Sequence, residues 1–428
     1  MKLKLQTCPA MVILAILLAV PASVSADAVA DWNAIAVQTI NAATNPTHAA
    51  PLAFTDIAIV HAAVYDAVEA IDQRFKPYHV QISGASGSPE AAAAKAAHDV
   101  LVNLFPAQKT TLDMTYDQYL INHGLSPNDP GVDVGATAAA GILALRSNDG
   151  RFPPNPVPFL GGTGIGEWRP TESFIGNPPA PPSFASMLTP WMANVTPFTL
   201  KSGDQWRAKA PPALTSDEYT RDYNEVKAMG ARFNSARTPA QTDFAIFWAA
   251  NYLVLWNRAV RDIAGTQVHN IGDSARLFAL VTFSMADAGI TAWDTKVAYN
   301  FWRPMTAIRS GDDDTNPSTI GDPNWQPLIN NPNYPDYTSG ANNATGAATR
   351  ALALFFGTDE MTFTVRTTNA GAIQQTRTYS RFSDAAADVV TARVYEGIHF
   401  RFADAEARKQ GRHVAQWVFG HFLKPLDE

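Results

Sequence analysis

The sequence predicts an all-α protein made of two helical bundles, with long Pro/Gly-rich loops and a small β-hairpin inserted in the second bundle. Three observations carry that expectation. Apolar residues recur at three- and four-residue spacing over much of the chain, as in Ile57, Val60, Val64 and Val68, the period of helices that bury one face. Alanine is abundant and only 17% of residues are charged, a composition that suits closely packed helices because Ala costs no side-chain entropy and lets axes approach. A length of 428 residues with 46% hydrophobic content supplies a large core, allows roughly two to three domains and excludes a disordered or collagenous chain.

The first element is a targeting segment. Lys2 and Lys4 precede the apolar run Met11 to Val20, which ends at Pro21 and the small residues Val24-Ser25-Ala26 ahead of Asp27. A basic start, an apolar stretch too short to span a bilayer and a small-residue site make residues 1–26 a signal peptide cleaved after Ala26. The mature protein is then expected to be periplasmic or secreted. Cys8, the single cysteine, lies before the apolar run and leaves with the signal, which removes a lipoprotein anchor, disulfides, thiolate nucleophiles and cysteine-ligated metals from consideration. Loss of Lys2 and Lys4 takes the formal net charge from -7 to -9. The 32 basic residues are outnumbered by 39 acidic ones and scattered, so the chain lacks the clustered basic footprint of a nucleic-acid partner. No second apolar stretch reads as long enough to span a membrane.

Residues 27–150 read as an N-terminal helical bundle. Helical patterning runs from Asp31 to about Ile71, then over Ala91 to Phe105, Ala107 to Ile121 and Val132 to Ser147, with breaks at Pro106 and from Gly124 to Pro130. Residues 151–215 are dense in Pro and Gly, including Pro153-Pro154, Gly161-Gly162, Pro178-Pro179 and Pro181-Pro182, which regular helices and central strands exclude. The aromatics Trp168, Phe174, Phe184, Trp191 and Phe198 predict that this excursion packs on the body. A second bundle follows over 216–428. Ser216 and Asp217 are placed to cap Glu218 to Ala231, and helical patterning continues over Pro239 to Ala264 and Asp273 to Asn300. The polar loop Gly311 to Tyr337 interrupts it. So does Met361 to Ser380, where the alternation Thr362-Phe363-Thr364-Val365-Arg366 and the turn residues Asn369-Ala370-Gly371 predict the hairpin.

Three segments of the second bundle carry chemistry. In Lys296-Val297-Ala298-Tyr299-Asn300-Phe301-Trp302-Arg303-Pro304 the two cations are nearly two helical turns apart, which predicts that they share a face, with Pro304 ending the helix at Arg303. Pro335-Asp336-Tyr337-Thr338-Ser339-Gly340 leads into a helical run from Ala341 to Phe356, so Ser339 and the Gly340 N–H offer donors at a helix start, where an anion is favoured. In Arg393-Val394-Tyr395-Glu396-Gly397-Ile398-His399, Gly397 is a natural helix stop. A break there turns Arg393 and His399 toward one pocket, although six residues of continuous helix would put them on different faces.

Together the three segments resemble the tripartite signature shared by vanadium-dependent haloperoxidases and type 2 phosphatidic acid phosphatases: Lys, six residues, Arg-Pro; then Pro-Ser-Gly-His; then Ser-Arg, five residues, His, three residues, Asp. Lys296 to Pro304 matches the first element in full, and the stretch His61-Ala62-Ala63-Val64-Tyr65-Asp66-Ala67-Val68 is similar to the bacterial haloperoxidase branch. The resemblance implies an oxyanion cradle of Lys296, Arg303, Ser339, Gly340 and Arg393. Lys296 and His399 would be its catalytic residues, His399 the ligand to vanadium, vanadate the cofactor, and phosphate a competing oxyanion.

The sequence departs from the pattern at four places. Ala341 stands where the acid/base histidine belongs, Thr338 replaces the Pro, Ala392 replaces the Ser, and Ala403 replaces the Asp that orients the histidine. Asp404, Asp287 and Asp294 are the candidate carboxylates for that last role, and His269, His413 and His421 are candidate proton sources. Trp293 is a candidate for a halide pocket or for core packing. Three functions follow from the resemblance. The first is a haloperoxidase acting on hydrogen peroxide and halide, with Lys296 polarising peroxide. The second is an acid phosphatase that forms a phosphohistidine on His399 from a phosphoester, and the third is a non-catalytic oxyanion binder.

Overall fold

The computed structural model describes residues 27–43, 51–174 and 186–426. The expected signal peptide, 1–26, lies outside them, as do Pro178-Pro179, Pro181-Pro182 and Phe184 of the excursion. Helix accounts for 59% of the described residues and strand for 5%, so the all-α reading with one small hairpin holds.

The first half contains α1 (Ala28–Ala42), α2 (Leu52–Asp72), α3 (Pro89–Leu104), α4 (Lys109–His123) and α5 (Pro130–Arg146). Asp27 caps α1 by accepting from the Ala30 N–H at 2.9 Å, and Ser88 and Asp129 cap α3 and α5 ahead of a proline at the first helical position. Helix α2 is buried on every side from Leu52 to Glu69, because α1, α3 and α5 all pack against it. The second half contains α6 (Asp217–Met229), α7 (Pro239–Trp248), α8 (Tyr252–Gln267), α9 (Ile271–Tyr299), α10 (Pro304–Arg309), α11 (Gly340–Phe356), α12 (Phe382–Tyr395) and α13 (Arg401–His421). Strands β1 (Glu360–Arg366) and β2 (Thr376–Arg381) pair antiparallel between α11 and α12.

Two expectations change. The helix expected over Pro239 to Ala264 is two helices, because Ala249 leaves the helical conformation and the Asn251 side chain caps α8 by accepting from the Leu253 and Val254 N–H groups. Helix α9 is also long and apolar enough, by length and composition, to cross a bilayer, with a hydropathy of 1.2 over its most apolar window. The sequence reading passed over it. In the fold 94% of that window is buried, since α9 is the shared central helix, packed on α2 from one half and on α11 and α13 from the other. A helix that is apolar all round is what such a position requires.

The excursion is fastened to the body by buried charge. Asp149 accepts from Arg146 Nε at 2.9 Å and Arg151 Nε at 2.8 Å, Arg151 Nη1 reaches Asp56 at 2.7 Å, and Arg146 Nη2 holds the Thr196 carbonyl. Farther along, the Trp168 N–H donates to Asn300 O at 2.7 Å and the Trp302 N–H to Gly166 O at 2.9 Å. The excursion therefore clamps both sides of the Asn300–Trp302 turn that delivers Arg303.

Candidate active site

Lys296 and Arg303 reach one place by a route other than a shared helical face. Helix α9 ends at Tyr299, with Asn300 left-handed at φ 43°, and Arg303 stands extended as the N-cap of α10. Pro304 enforces that extension by disfavouring helix in the residue before it. The Arg303 guanidinium, fully buried, donates from Nε to Tyr334 O at 2.8 Å and from Nη1 to Ile398 O at 2.6 Å, and Nη1 lies 3.1 Å from His399 Nε2. Lys296 Nζ, equally buried, donates to Pro335 O at 2.6 Å and Asp336 O at 3.1 Å. The Tyr334 ring lies 4.8 Å from Nζ and 4.9 Å from the Arg303 guanidinium carbon, so one aromatic face serves both cations.

The other two segments converge on the same point. Gly397 has φ +80° in the link between α12 and α13, and a Cβ there would come within 2.4 Å of Gly230 O, so only glycine fits the turn. Arg393 precedes the turn and pairs with Glu396 at 2.5 Å; His399 follows it, its Nδ1 2.7 Å from Asp336 Oδ1. Ser339 is the N-cap position of α11, and its carbonyl accepts from Asn343 N at 3.0 Å. Asn342 Nδ2 donates to Asp404 Oδ1 at 2.7 Å and lies 3.4 Å from Ser339 Oγ. Thr338 Oγ1 donates to Gln410 Oε1 at 2.7 Å while Gln410 Nε2 donates to Thr295 Oγ1 at 2.8 Å, which locks the approach to α11 between α9 and α13.

Burial and crowding of charge set the protonation states. Burial holds the His399 imidazole well below its usual range, and the Arg303, Lys296 and Arg393 charges push it the same way, so the ring is neutral. Lys296 is held well below the usual lysine range, first by burial and then by Arg303. Among the carboxyls, burial raises Asp336 to about 7 against the pull of Arg303 and Lys296, raises Glu396 to about 7 against Arg393, and raises Asp404 well above the carboxylate range. Burial lowers Arg393 and the Glu396 charge raises it, with a net upward shift.

Residues 276–428 match a family model described as the VCPO second helical-bundle domain. The vanadium chloroperoxidase of Curvularia inaequalis is 33% identical over 181 aligned residues, covering 34% of this chain. The C-terminal part of the chain is similar to the vanadium haloperoxidases. That alignment spans 29% of the relative's length. The likeness in fold is wider. The crystal structure of the first bacterial vanadium-dependent iodoperoxidase superposes with a TM-score of 0.73 at 23% identity, covering 92% of this chain and 97% of that one. The apo-type bacterial vanadium-dependent chloroperoxidase gives 0.70 at 17% identity, over 89% of this chain and 94% of that one.

An oxyanion such as vanadate fits the residues present. Arg303 Nη2 and Arg393 Nε are buried donors without a hydrogen-bond partner, a costly state unless an acceptor is bound. At Gly340 a Cβ would come within 3.2 Å of the Trp293 ring, so the bare backbone there keeps the helix start open. Trp293 itself is buried, donates Nε1–H to Leu188 O at 3.0 Å and backs Tyr334 at 4.9 Å between centroids.

Several expected contributors lie elsewhere. Asp287 is occupied by the Phe198, Thr199 and Leu200 N–H groups and the Thr199 hydroxyl, so it anchors the excursion and leaves the histidine alone. Asp294 is bound by Arg207 at 2.7 and 2.8 Å. His269, His413 and His421 are all exposed, and His421 Nδ1 is 2.9 Å from Trp417 O. Asp404 is buried at the site but serves Asn342. The carboxylate at His399 is Asp336, which the sequence reading missed; its signal was an acidic residue inside the second motif, three positions before Ser339. Glu396, one helical turn after Arg393, was missed in the same way.

Proposed function

We propose that this protein is a vanadium-dependent haloperoxidase that holds vanadate through His399 and oxidises halide with hydrogen peroxide. The observation that carries the reading is His399 itself: a buried, neutral imidazole with Nδ1 against Asp336 and Nε2 turned to Arg303 among three buried cations. Neutral imidazole is the form that ligates a metal, and a carboxylate on the far nitrogen fixes its tautomer and orientation. His399 would hold the metal through Nε2, with Arg303, Arg393, Ser339 and the Gly340 N–H on the oxyanion oxygens. Bound vanadate would supply a Lewis-acid centre that activates peroxide without a change of oxidation state. Lys296, buried and fixed by the Pro335 and Asp336 carbonyls, would be the side chain that polarises peroxide there.

The phosphatase reading ranks second. The same imidazole could attack phosphorus, but Ala341 leaves the departing alcohol without the acid that the phosphatase pattern supplies. We also propose that the mature chain works in the periplasm or outside the cell, on the layout of residues 1–26; a mature N-terminus at Asp27 in exported protein is the check.

The deciding experiment is a bromide-dependent peroxidase assay on vanadate-loaded full chain, beside His399→Ala, with p-nitrophenyl phosphate turnover in parallel. Halide oxidation that disappears in His399→Ala is the expected result. Tight vanadate binding without halide oxidation would make the protein an oxyanion binder, and phosphate release inhibited by vanadate would make it a phosphatase.

A further inference from the structure

We propose that a second anion site, for a phosphate group either free or carried by a small ester, lies among α11, α12 and α13 at Arg350, Arg408 and Arg412. The three arginines line a cavity of about 280 Å³ together with Asp359 and Ser383. Their convergence follows from the sequence. Arg408 and Arg412 are four apart on α13 and so share a face. Gly346 and Gly411 let α11 and α13 cross without side chains between them: a Cβ at Gly346 would lie 2.5 Å from Arg408 O, and one at Gly411 2.1 Å from Asn343 O. That close crossing brings Arg350 of α11 to the pair on α13.

The charge in this cavity is only partly compensated, by Asp359 acting on Arg350. Among the described residues, no hydrogen bond or ion pair occupies any of the three guanidiniums, and Arg350 Nε is buried without a partner. Asp359 is the sole carboxylate in the lining, and both of its oxygens are engaged by Ser383, at 3.1 Å from the N–H and 2.5 Å from the hydroxyl. Burial and the neighbouring Arg412 hold both Arg350 and Arg408 below the usual arginine range. Like charges at four-residue spacing repel, so three arginines around one carboxylate in an acidic chain is an arrangement that a bound anion relieves. Guanidinium forks match the oxygens of phosphate in pairs, and three forks suit a dianion better than a single carboxylate. The site is separate from the one at His399, since Arg350 lies ten residues, about 15 Å, along α11 from Gly340.

The test is calorimetric titration of full chain carrying His399→Ala, which weakens the other oxyanion site, at 0.15 M salt. Inorganic phosphate, glycerol 3-phosphate and succinate are the probes, with and without Arg408→Ala/Arg412→Ala. Saturable phosphate binding that the double variant weakens at least ten-fold is expected, with succinate weaker than either phosphate. Tighter binding of glycerol 3-phosphate than of inorganic phosphate identifies an ester as the natural ligand, and the reverse identifies the free ion. Arg412→Glu, a charge reversal at an exposed position with little packing to disturb, is expected to weaken phosphate at least ten-fold while the melting temperature stays unchanged. No saturable binding, equal succinate affinity, or affinity indifferent to these substitutions overturns the proposal.

Discussion

His399 Nδ1 lies 2.7 Å from Asp336 Oδ1, with both side chains essentially closed to solvent. The contact joins two of the three chemical segments and leaves Nε2 as the nitrogen turned toward Arg303. Asp336→Asn keeps the shape and removes the charge that favours a proton on Nδ1. Vanadate affinity is expected to fall by roughly 10–100-fold, the usual cost of losing the partner behind a histidine ligand. The same variant should melt no lower than the parent, because the carboxylate it removes is buried and poorly satisfied. Vanadate titration paired with thermal melting separates the two effects; unchanged affinity would remove Asp336 from the site.

This contact also shows where sequence reading stopped. The cations were legible because their spacing is local: Lys296, Arg303 and Arg393 sit in motifs with proline or glycine beside them, and those residues dictate the turns. The orienting carboxylate was sought at Ala403 and its neighbour Asp404, since the motif pattern puts it there. In the fold Asp404, on the first turn of α13, bonds Asn342 at 2.7 Å, while Asp336 arrives from a loop more than sixty residues upstream of His399. Spacing along one chain segment carries no information about such a meeting. The α7–α8 break was hidden for a different reason: Ala249-Ala250 reads as helix, and the Asn251 cap shows itself only through its hydrogen bonds. The burial of α9 was equally out of reach, because composition alone does not distinguish a bilayer from a protein core.

Ala341 defines the missing proton. It lies in the first turn of α11 beside Gly340, partly buried, so a histidine installed there starts from the same helix end as the oxyanion donors. Ala341→His is expected to raise bromide oxidation at least ten-fold, within the roughly 10²–10⁴ range of a positioned acid/base group, and to leave vanadate affinity unchanged. Steady-state rates with parallel vanadate titrations check this. An unchanged rate would show that the parent already draws its proton from another group.

The α11–α13 crossing couples stability to the site. Gly411→Ala puts a methyl 2.1 Å from Asn343 O and 2.8 Å from Ala347 N, so the helices must separate. A loss of about 1–3 kcal/mol is expected from such overpacking. Vanadate affinity should fall with it, because the Asn342–Asp404 bond spans the same pair of helices. Gly420→Ala is the control: on the same helix a Cβ there meets nothing within 4 Å, and removing glycine from a helix gains up to about 1 kcal/mol. Urea melts of both variants supply the comparison, and equal effects would argue against close packing as the cause.

Buried acids give the fold a pH dependence of predictable sign. Glu69, on α2, accepts from the Phe75 N–H at 3.0 Å and the Arg74 N–H at 3.2 Å through Oε2, while Oε1 is buried without a partner. Burial raises its carboxyl to about 7, with those two bonds and Arg74 opposing and Asp72 assisting. The folded state therefore holds the proton more tightly than the unfolded chain, whose value is near 4.5. Between those limits the folded protein binds more protons, so this group's contribution is full below about 4.5 and is lost as pH rises through about 7. The total is on the order of 3 kcal/mol. Glu69→Gln keeps an acceptor for both N–H groups and cannot ionise. It is expected to match the parent near pH 4.5 and to exceed it in stability at pH 8, where Asp66 and the site carboxyls are common to both proteins and cancel. Chemical denaturation of the pair across that range measures the difference, and parallel curves would mean that Glu69 titrates alike in the folded and unfolded chains.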